Sequence, residues 1–206
     1  MHSAHGHLVP VVGPSGAGKD SILRAAHDIF ADDDRVVFPR RVITRKAMAE
    51  AEDHDCMTEM GFAYSVAKGD FALWWEAHDN AYGIPAHIDK DLSAGRTVVF
   101  NCSRSALEEA LARYPIVTAI EISASPVVLV DRIVSRGREN QEEARVRVAR
   151  KPAPYPAALP VIRIDNSGKL ELAVNAFVAA LRSLQHLPVP QPKERRFVPT
   201  LNQLTW

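Results

Sequence analysis

Seven consecutive residues, Gly13-Pro14-Ser15-Gly16-Ala17-Gly18-Lys19, fill every fixed position of the spacing G-x-x-x-x-G-K. Glycines at these places let backbone N–H groups close around phosphate oxygens with no Cβ in the way, and a helix starting just after them adds the positive end of its dipole. Lys19 supplies a point charge for the β- and γ-phosphates of a nucleoside triphosphate. The expected phosphate contacts are therefore Gly13, Pro14, Ser15, Gly16, Ala17, Gly18, Lys19, Asp20 and Ser21. Asp20 stands where Ser or Thr normally reaches Mg²⁺, with Ser21 one place later. A carboxylate is also a hard oxygen ligand, which makes Asp20 a candidate for Mg²⁺. The plainer alternative is an acid in a first helical turn, favoured there by the dipole alone.

Beyond the loop, Arg41 and Arg45 flank Thr44 in a segment that reads as extended, so the two guanidinium groups share one face and Arg40 points away. Guanidinium forks suit phosphate geometry, and the pair is a candidate acceptor-phosphate site rather than a solvated basic edge. Glu76 and His78 are candidate contacts to an acceptor hydroxyl. Trp74 and Trp75 either stack on a sugar or pack in the core. The histidines at positions 2, 5 and 7 precede the first strand; they are expected to be disordered, and no metal is assigned to them.

These residues need a scaffold. Residues 8–12 form an apolar, β-branched run ending in the glycine-rich turn, and Ile22, Leu23, Ala26 and Phe30 mark one face of a helix over 20–30, which gives strand, loop, helix. Pro10 lacks a donor and argues against full pairing of that strand. Residues 36–44 read as one extended segment interrupted by Pro39, and 47–54 as part of an acceptor lobe. Strands at 97–101 and 116–122 flank a helix over 105–113. Pro126 opens another helix, with Ile133 on its apolar face and Gly137 past its end. The charged stretch 136–150, a strand at 161–164 and an amphipathic helix over 170–184 complete the pattern. Strands alternating with helices predict an α/β fold with a mostly parallel sheet covered on both faces. The prolines at 188, 190, 192 and 199 leave 186–206 as a Pro-rich tail, expected to be mobile and dispensable for activity.

With 206 residues, 47% of them hydrophobic, the chain can bury one sizeable core. Twenty-five basic residues balance 25 acidic ones, so no global charge draws it to nucleic acid or an anionic membrane. Cys56 and Cys102 lack metal-ligand spacing and read as reduced thiols. No run approaches membrane-spanning length, and the expectation is a cytoplasmic protein.

In this setting the loop resembles that of guanylate kinases and, more closely, of the ribose 1,5-bisphosphate phosphokinases of phosphonate degradation, whose G-P-S-G-[AS]-G-K-D-S carries the same Asp. The likeness covers residues 8–184 and includes further blocks in order: Arg41-Val42-Ile43-Thr44-Arg45, Glu52-Asp53-His54, Phe71-Ala72-Leu73-Trp74-Trp75-Glu76-Ala77-His78, Tyr82-Gly83-Ile84, Asn101-Cys102-Ser103-Arg104 and Arg136-Gly137-Arg138-Glu139-Asn140. His54 falls where guanylate kinases bind the GMP phosphate through a tyrosine. Leu73 falls where a glutamate reads guanine, and a leucine accepts nothing from guanine N–H groups. Asn101 and Ser103 replace acids, which suits an acceptor carrying two phosphates.

The resemblance implies a three-layer P-loop fold of the nucleoside-monophosphate-kinase kind over 1–185, with an acceptor lobe about 40–95 and a lid about 136–147. It implies ATP and Mg²⁺ as cofactors and transfer of a phosphoryl group onto the 1-phosphate of ribose 1,5-bisphosphate, giving 5-phosphoribosyl 1-diphosphate, in a phosphonate-degrading context. The implied acceptor contacts are Arg41, Thr44, Arg45, His54, Trp75, Glu76, Tyr82, Asn101, Ser103 and Arg104. Among Arg132, Arg136, Arg138, Arg145 and Arg147, the lid residues Arg136, Arg138 and Arg147 are expected to act beside Lys19 in catalysis. Against that, Glu139, Glu142 and Glu143 have the spacing to tie such arginines into an exposed salt-bridged helix. Guanylate kinase or another nucleoside monophosphate kinase is the alternative function, and a non-catalytic kinase-like binding module a further one. The implied partner is a small phosphorylated sugar, with no nucleic acid and no membrane; oligomeric state, a homodimer included, stays open.

Overall fold

The structure, a computed structural model, describes residues 6–44, 54–77, 79–135, 137, 140–150 and 152–185. The central sheet is wholly parallel and has five strands: β1 (His7–Val12), β2 (Val36–Val37), β7 (Thr97–Asn101), β8 (Ala119–Ser123) and β9 (Val161–Asp165), side by side in the order β2-β7-β1-β8-β9. Its strands are nearly continuous apolar runs because both faces are covered. Val9 and Val11 of β1, with Ile120 and Ile122 of β8, face helices α1 (Lys19–Ile29), α5 (Pro126–Val134) and α7 (Leu170–Gln185). Leu8, Val12, Val98, Phe100 and Ala119 face the other way, against α3 (Ile88–Ser93) and α4 (Leu107–Arg113). This is the three-layer architecture expected.

Pro10 nevertheless lies in the middle of the central strand, in register with Phe100. The amides of His7 and Leu8 donate to opposite neighbours, to Arg96 O and Ile116 O respectively. Two residues on from Leu8, Pro10 therefore turns its donor-less nitrogen toward β8, and the regular β1–β8 ladder is registered only from Val11 onward. A one-sided gap reconciles the proline with a central position. His7, expected ahead of the strand, is instead its first residue; its Nε2 lies 2.8 Å from Thr118 Oγ1, and burial pushes the imidazole pKa down. His2 and His5 lie outside the described residues.

A second, four-stranded sheet occupies the segment expected to be the acceptor lobe: β3 (Arg41–Ile43), β4 (His54–Cys56), β5 (Phe71–Ala77) and β6 (Asn80–Pro85), in the order β4-β3-β6-β5. The segment read as one strand over 36–44 is thus two strands in different sheets, parted at Pro39. Sequence reading missed strand β4, the β5–β6 hairpin, helix α3 and helix α2 (Glu59–Lys68). Thr58 caps α2 by accepting from Gly61 N–H, and Gly69 ends it at φ 79°. The hairpin turn holds Asp79 at φ 59°, a left-handed conformation that Asp tolerates better than most residues. Leu73, Trp75 and Ile84 turn one face of this sheet into the main core. On the other face Val42 and Phe71 pack against Phe62 of α2, whose ring stacks on Phe71 at 4.7 Å.

Helix α6 (Gln141–Ala149) occupies the expected lid segment. Asn140 and Glu143 close a capping box at its start, and Ala144 is buried against Val130 and Ile133 of α5. The expected tail at 186–206 lies outside the described residues.

Candidate active site

The phosphate loop connects β1 to α1 at the carboxyl edge of the parallel sheet, where ligands of such folds gather. Gly13 has φ 148°, and a Cβ there would lie 2.0 Å from Ile122 O. Gly18 has φ 89°, and a Cβ there would lie 2.4 Å from Asn166 Nδ2. Both glycines are thus required by close approach as well as by conformation. Lys19 Nζ folds back over the loop and donates to Gly13 O at 2.7 Å and Pro14 O at 3.1 Å. The cradle of small residues, the helix start and the ammonium group fit a triphosphate. Asn166, 2% exposed, braces the loop from behind by donating to Ala17 O at 2.8 Å. No sequence motif pointed to it: its neighbour in space is 149 positions away.

Asp20 begins a row of α1 side chains, continued by Arg24 and His27, that walls a cleft next to the loop. The facing wall carries Phe38, Arg41 and Asn101. Asn101 Nδ2 donates to Asp20 Oδ1 at 2.7 Å, so two residues singled out separately from the sequence meet here. Arg41 lies over the Tyr82 ring at 5.5 Å, and Tyr82 stacks on Trp75 with centroids 5.5 Å apart and planes 6° from parallel. Trp75 is only 6% exposed, so it supports Tyr82 from the core side. Leu73 is wholly buried and closes the interior instead of lining a pocket.

The structure does not bring every expected acceptor residue into this cleft. Strand alternation turns Thr44 and Glu76 to the α2 side, where both line a separate cavity with Glu59 and Trp74. Thr44 Oγ1 accepts from Ala81 N–H at 2.8 Å and so serves the β3–β6 ladder. Ser103 Oγ caps the short 3₁₀ turn Arg104–Ala106, accepting from Ser105 N–H and Ser105 Oγ–H. Arg104 makes an ion pair with Glu121, donates to Ala153 O at 3.1 Å and stacks on Tyr155 at 4.3 Å. Arg163, directly across from Glu121 on β9, completes the cluster at 3.1 Å. Paired with Glu121, Arg104 ties the turn after β7 to the chain leaving α6. Glu121 itself had no signal in the sequence, because its partners come from the turn after β7 and from the middle of β9.

Arg147 is exposed on α6. Arg45, Arg136 and Arg138 lie outside the described residues, as do His78 and the side chain of His54. On the other side of the loop, Arg132 of α5 reaches Gly16 O at 3.5 Å.

A parallel sheet of this order, with a phosphate loop after its first strand and helices on both faces, defines a P-loop kinase of the nucleoside-monophosphate-kinase kind. The solved guanylate kinase of Anaplasma phagocytophilum has the same fold, at TM-score 0.66 and 18% identity, covering 98% of this chain and 97% of that one. No family model matches the chain. At the level of sequence, the ribose 1,5-bisphosphate phosphokinase PhnN of Rhizobium etli is 45% identical over 179 residues, which is 87% of this chain and 91% of its own. That of Rhodopseudomonas palustris is 48% identical over 151 residues, 73% of this chain and 77% of its own. The chain belongs to the PhnN family of ribose 1,5-bisphosphate phosphokinases.

Proposed function

We propose that the protein transfers the γ-phosphoryl group of ATP to the 1-phosphate of ribose 1,5-bisphosphate, forming 5-phosphoribosyl 1-diphosphate and ADP. The observation that carries this reading is the 45% identity, over 87% of the chain, to a protein named for that acceptor. The basic cleft beside the phosphate loop supports it physically.

In the reaction a 1-phosphate oxygen attacks Pγ, the bond from Pγ to the β-phosphate oxygen breaks, and ADP leaves with those electrons. A phosphate monoester is largely dianionic at neutral pH, so its oxygen is a nucleophile without losing a proton and no general base is required. Catalysis then consists of placement and charge neutralisation. Lys19 and the loop amides hold the β- and γ-phosphates. Arg41, oriented by the Tyr82–Trp75 stack, holds the acceptor, and Asn101 contributes hydrogen bonding without added negative charge. Asp20 and Ser21 would hold Mg²⁺, which would supply further charge neutralisation on the phosphates. Arg136, Arg138 and Arg147 belong to the segment that closes over the reacting groups and excludes water. Thr44 and Arg104 have structural roles in this account, and Glu76 lines the separate cavity on the α2 side.

The test is ³¹P NMR of the product mixture after incubation with ATP, Mg²⁺ and ribose 1,5-bisphosphate. Transfer gives ADP together with a new pair of coupled diphosphate signals on the sugar. Release of inorganic phosphate with the acceptor unchanged would overturn the reading.

A further inference from the structure

A loop can cradle phosphates only if its peptide units are held with their N–H groups toward the ligand. Here one such peptide is held by a side chain from the far end of the sheet. Asn166 Nδ2 donates to Ala17 O at 2.8 Å. Ala17 and Asn166 are 0% and 2% exposed, so the Ala17 carbonyl cannot turn to bulk water for a substitute partner. The C=O and N–H of one trans peptide point in opposite directions. Holding Ala17 O toward Asn166 therefore turns the N–H of Gly18, in the same peptide, away from Asn166.

Asn166 is itself firmly placed. It follows the last residue of β9, and its N–H donates to Ser123 O, at the end of β8, at 2.7 Å. Next to it, Ser167 Oγ accepts from Ser125 N–H at 2.8 Å and donates to Asp165 Oδ1 at 2.6 Å. The carboxyl ends of β8 and β9 are thus fastened together, and the amide projects from that junction. Its Oδ1 is buried and takes no hydrogen bond among the described residues, so the amide is aligned by the bond it gives to Ala17. The 2.4 Å approach of Nδ2 to the place of a Gly18 Cβ puts it directly against the Ala17–Gly18 peptide.

We propose that Asn166 is a positioning residue for the nucleotide: through Ala17 O it fixes the Ala17–Gly18 peptide with the Gly18 N–H toward the phosphates. It thereby sets the affinity for the triphosphate chain whatever base is attached. The inference rests on ATP as the phosphoryl donor in the function proposed above.

The experiment is calorimetric titration of the wild type, Asn166→Ala and Asn166→Asp with Mg·ATP and with Mg·tripolyphosphate, which carries three phosphates and no base. Melting temperatures and the acceptor KM are measured beside it. Losing the Ala17 contact raises Kd for both ligands by the same factor, about tenfold, well below the melting transition, with the acceptor KM unchanged. In Asn166→Asp only the protonated carboxyl can donate to Ala17 O, so the deficit against the wild type shrinks from about pH 8 to about pH 6. A general loosening of the fold has no such pH profile. Unchanged Kd in both variants overturns the inference. A loss for ATP with tripolyphosphate unaffected also overturns it, because it marks a contact to the base. A wild type that binds neither ligand removes the parent function; one that binds both while the variants match it removes this inference alone.

Discussion

Asn101 Nδ2 donates to Asp20 Oδ1 across 2.7 Å, joining the end of β7 to the first turn of α1 just beside the phosphate loop. An amide at position 101 can hold that carboxylate in place, whereas a second carboxylate would repel it. The pair accounts together for two departures from the guanylate kinase pattern, Asp after the loop lysine and Asn at the end of the strand. If Asp20 helps hold Mg²⁺, Asp20→Asn shifts the Mg²⁺ titration of activity to higher concentration, by about tenfold for one lost charged ligand contact. An unchanged titration leaves Asp20 as a helix-start acid and no more.

In the proposed reaction Lys19 is the charge beside the transferring group. Lys19→Met keeps most of the stem and removes the ammonium, so kcat falls by about 10²–10³. The melting temperature should hold, since Nζ donates to the loop carbonyls of Gly13 and Pro14. Thermal melting beside the kinetics separates lost chemistry from lost folding.

The Arg104–Glu121 pair should matter for stability ahead of chemistry. Its side chains are 17% and 12% exposed, so removing the carboxylate leaves a half-enclosed guanidinium with its charge uncompensated. Glu121→Gln should destabilise the fold by about 2 kcal/mol, or ~4–8 °C in Tm for a domain of this size. If Arg104 instead contacted the acceptor, Arg104→Lys would raise the acceptor KM without moving Tm.

The two cysteines should behave oppositely. Burial pushes the Cys102 thiol from 9.0 up to about 12, while Cys56 is exposed. At pH 8 a thiol reagent should label one cysteine in the native protein and two in denaturant. A folded-state pKa above the unfolded one means that Cys102 costs no stability below about pH 9 and withdraws stability as pH rises toward 12. Denaturant midpoints measured across that range should fall, and should fall less in Cys102→Ala.

The phosphate loop and the central sheet were legible because their signals are local. A motif of seven residues, apolar runs without alternation, and helix starts such as Pro126 state strand, loop and helix directly. The termini of α2 were written just as locally, in Thr58 and Gly69, but its weak apolar period hid the helix between them. The acceptor side was harder for a different reason. A one-residue step along a strand moves a side chain to the opposite face, so Arg41 and Thr44, close neighbours in the chain, end on opposite sides of the second sheet. Asn166, Glu121 and Tyr155 gain their meaning only from partners brought together by tertiary packing.

Acceptor choice is the most direct test of the account. Measured side by side with ATP and Mg²⁺, kcat/KM for ribose 1,5-bisphosphate should exceed that for GMP by several orders of magnitude, with 5-phosphoribosyl 1-diphosphate as product. Comparable or faster turnover of GMP would contradict it.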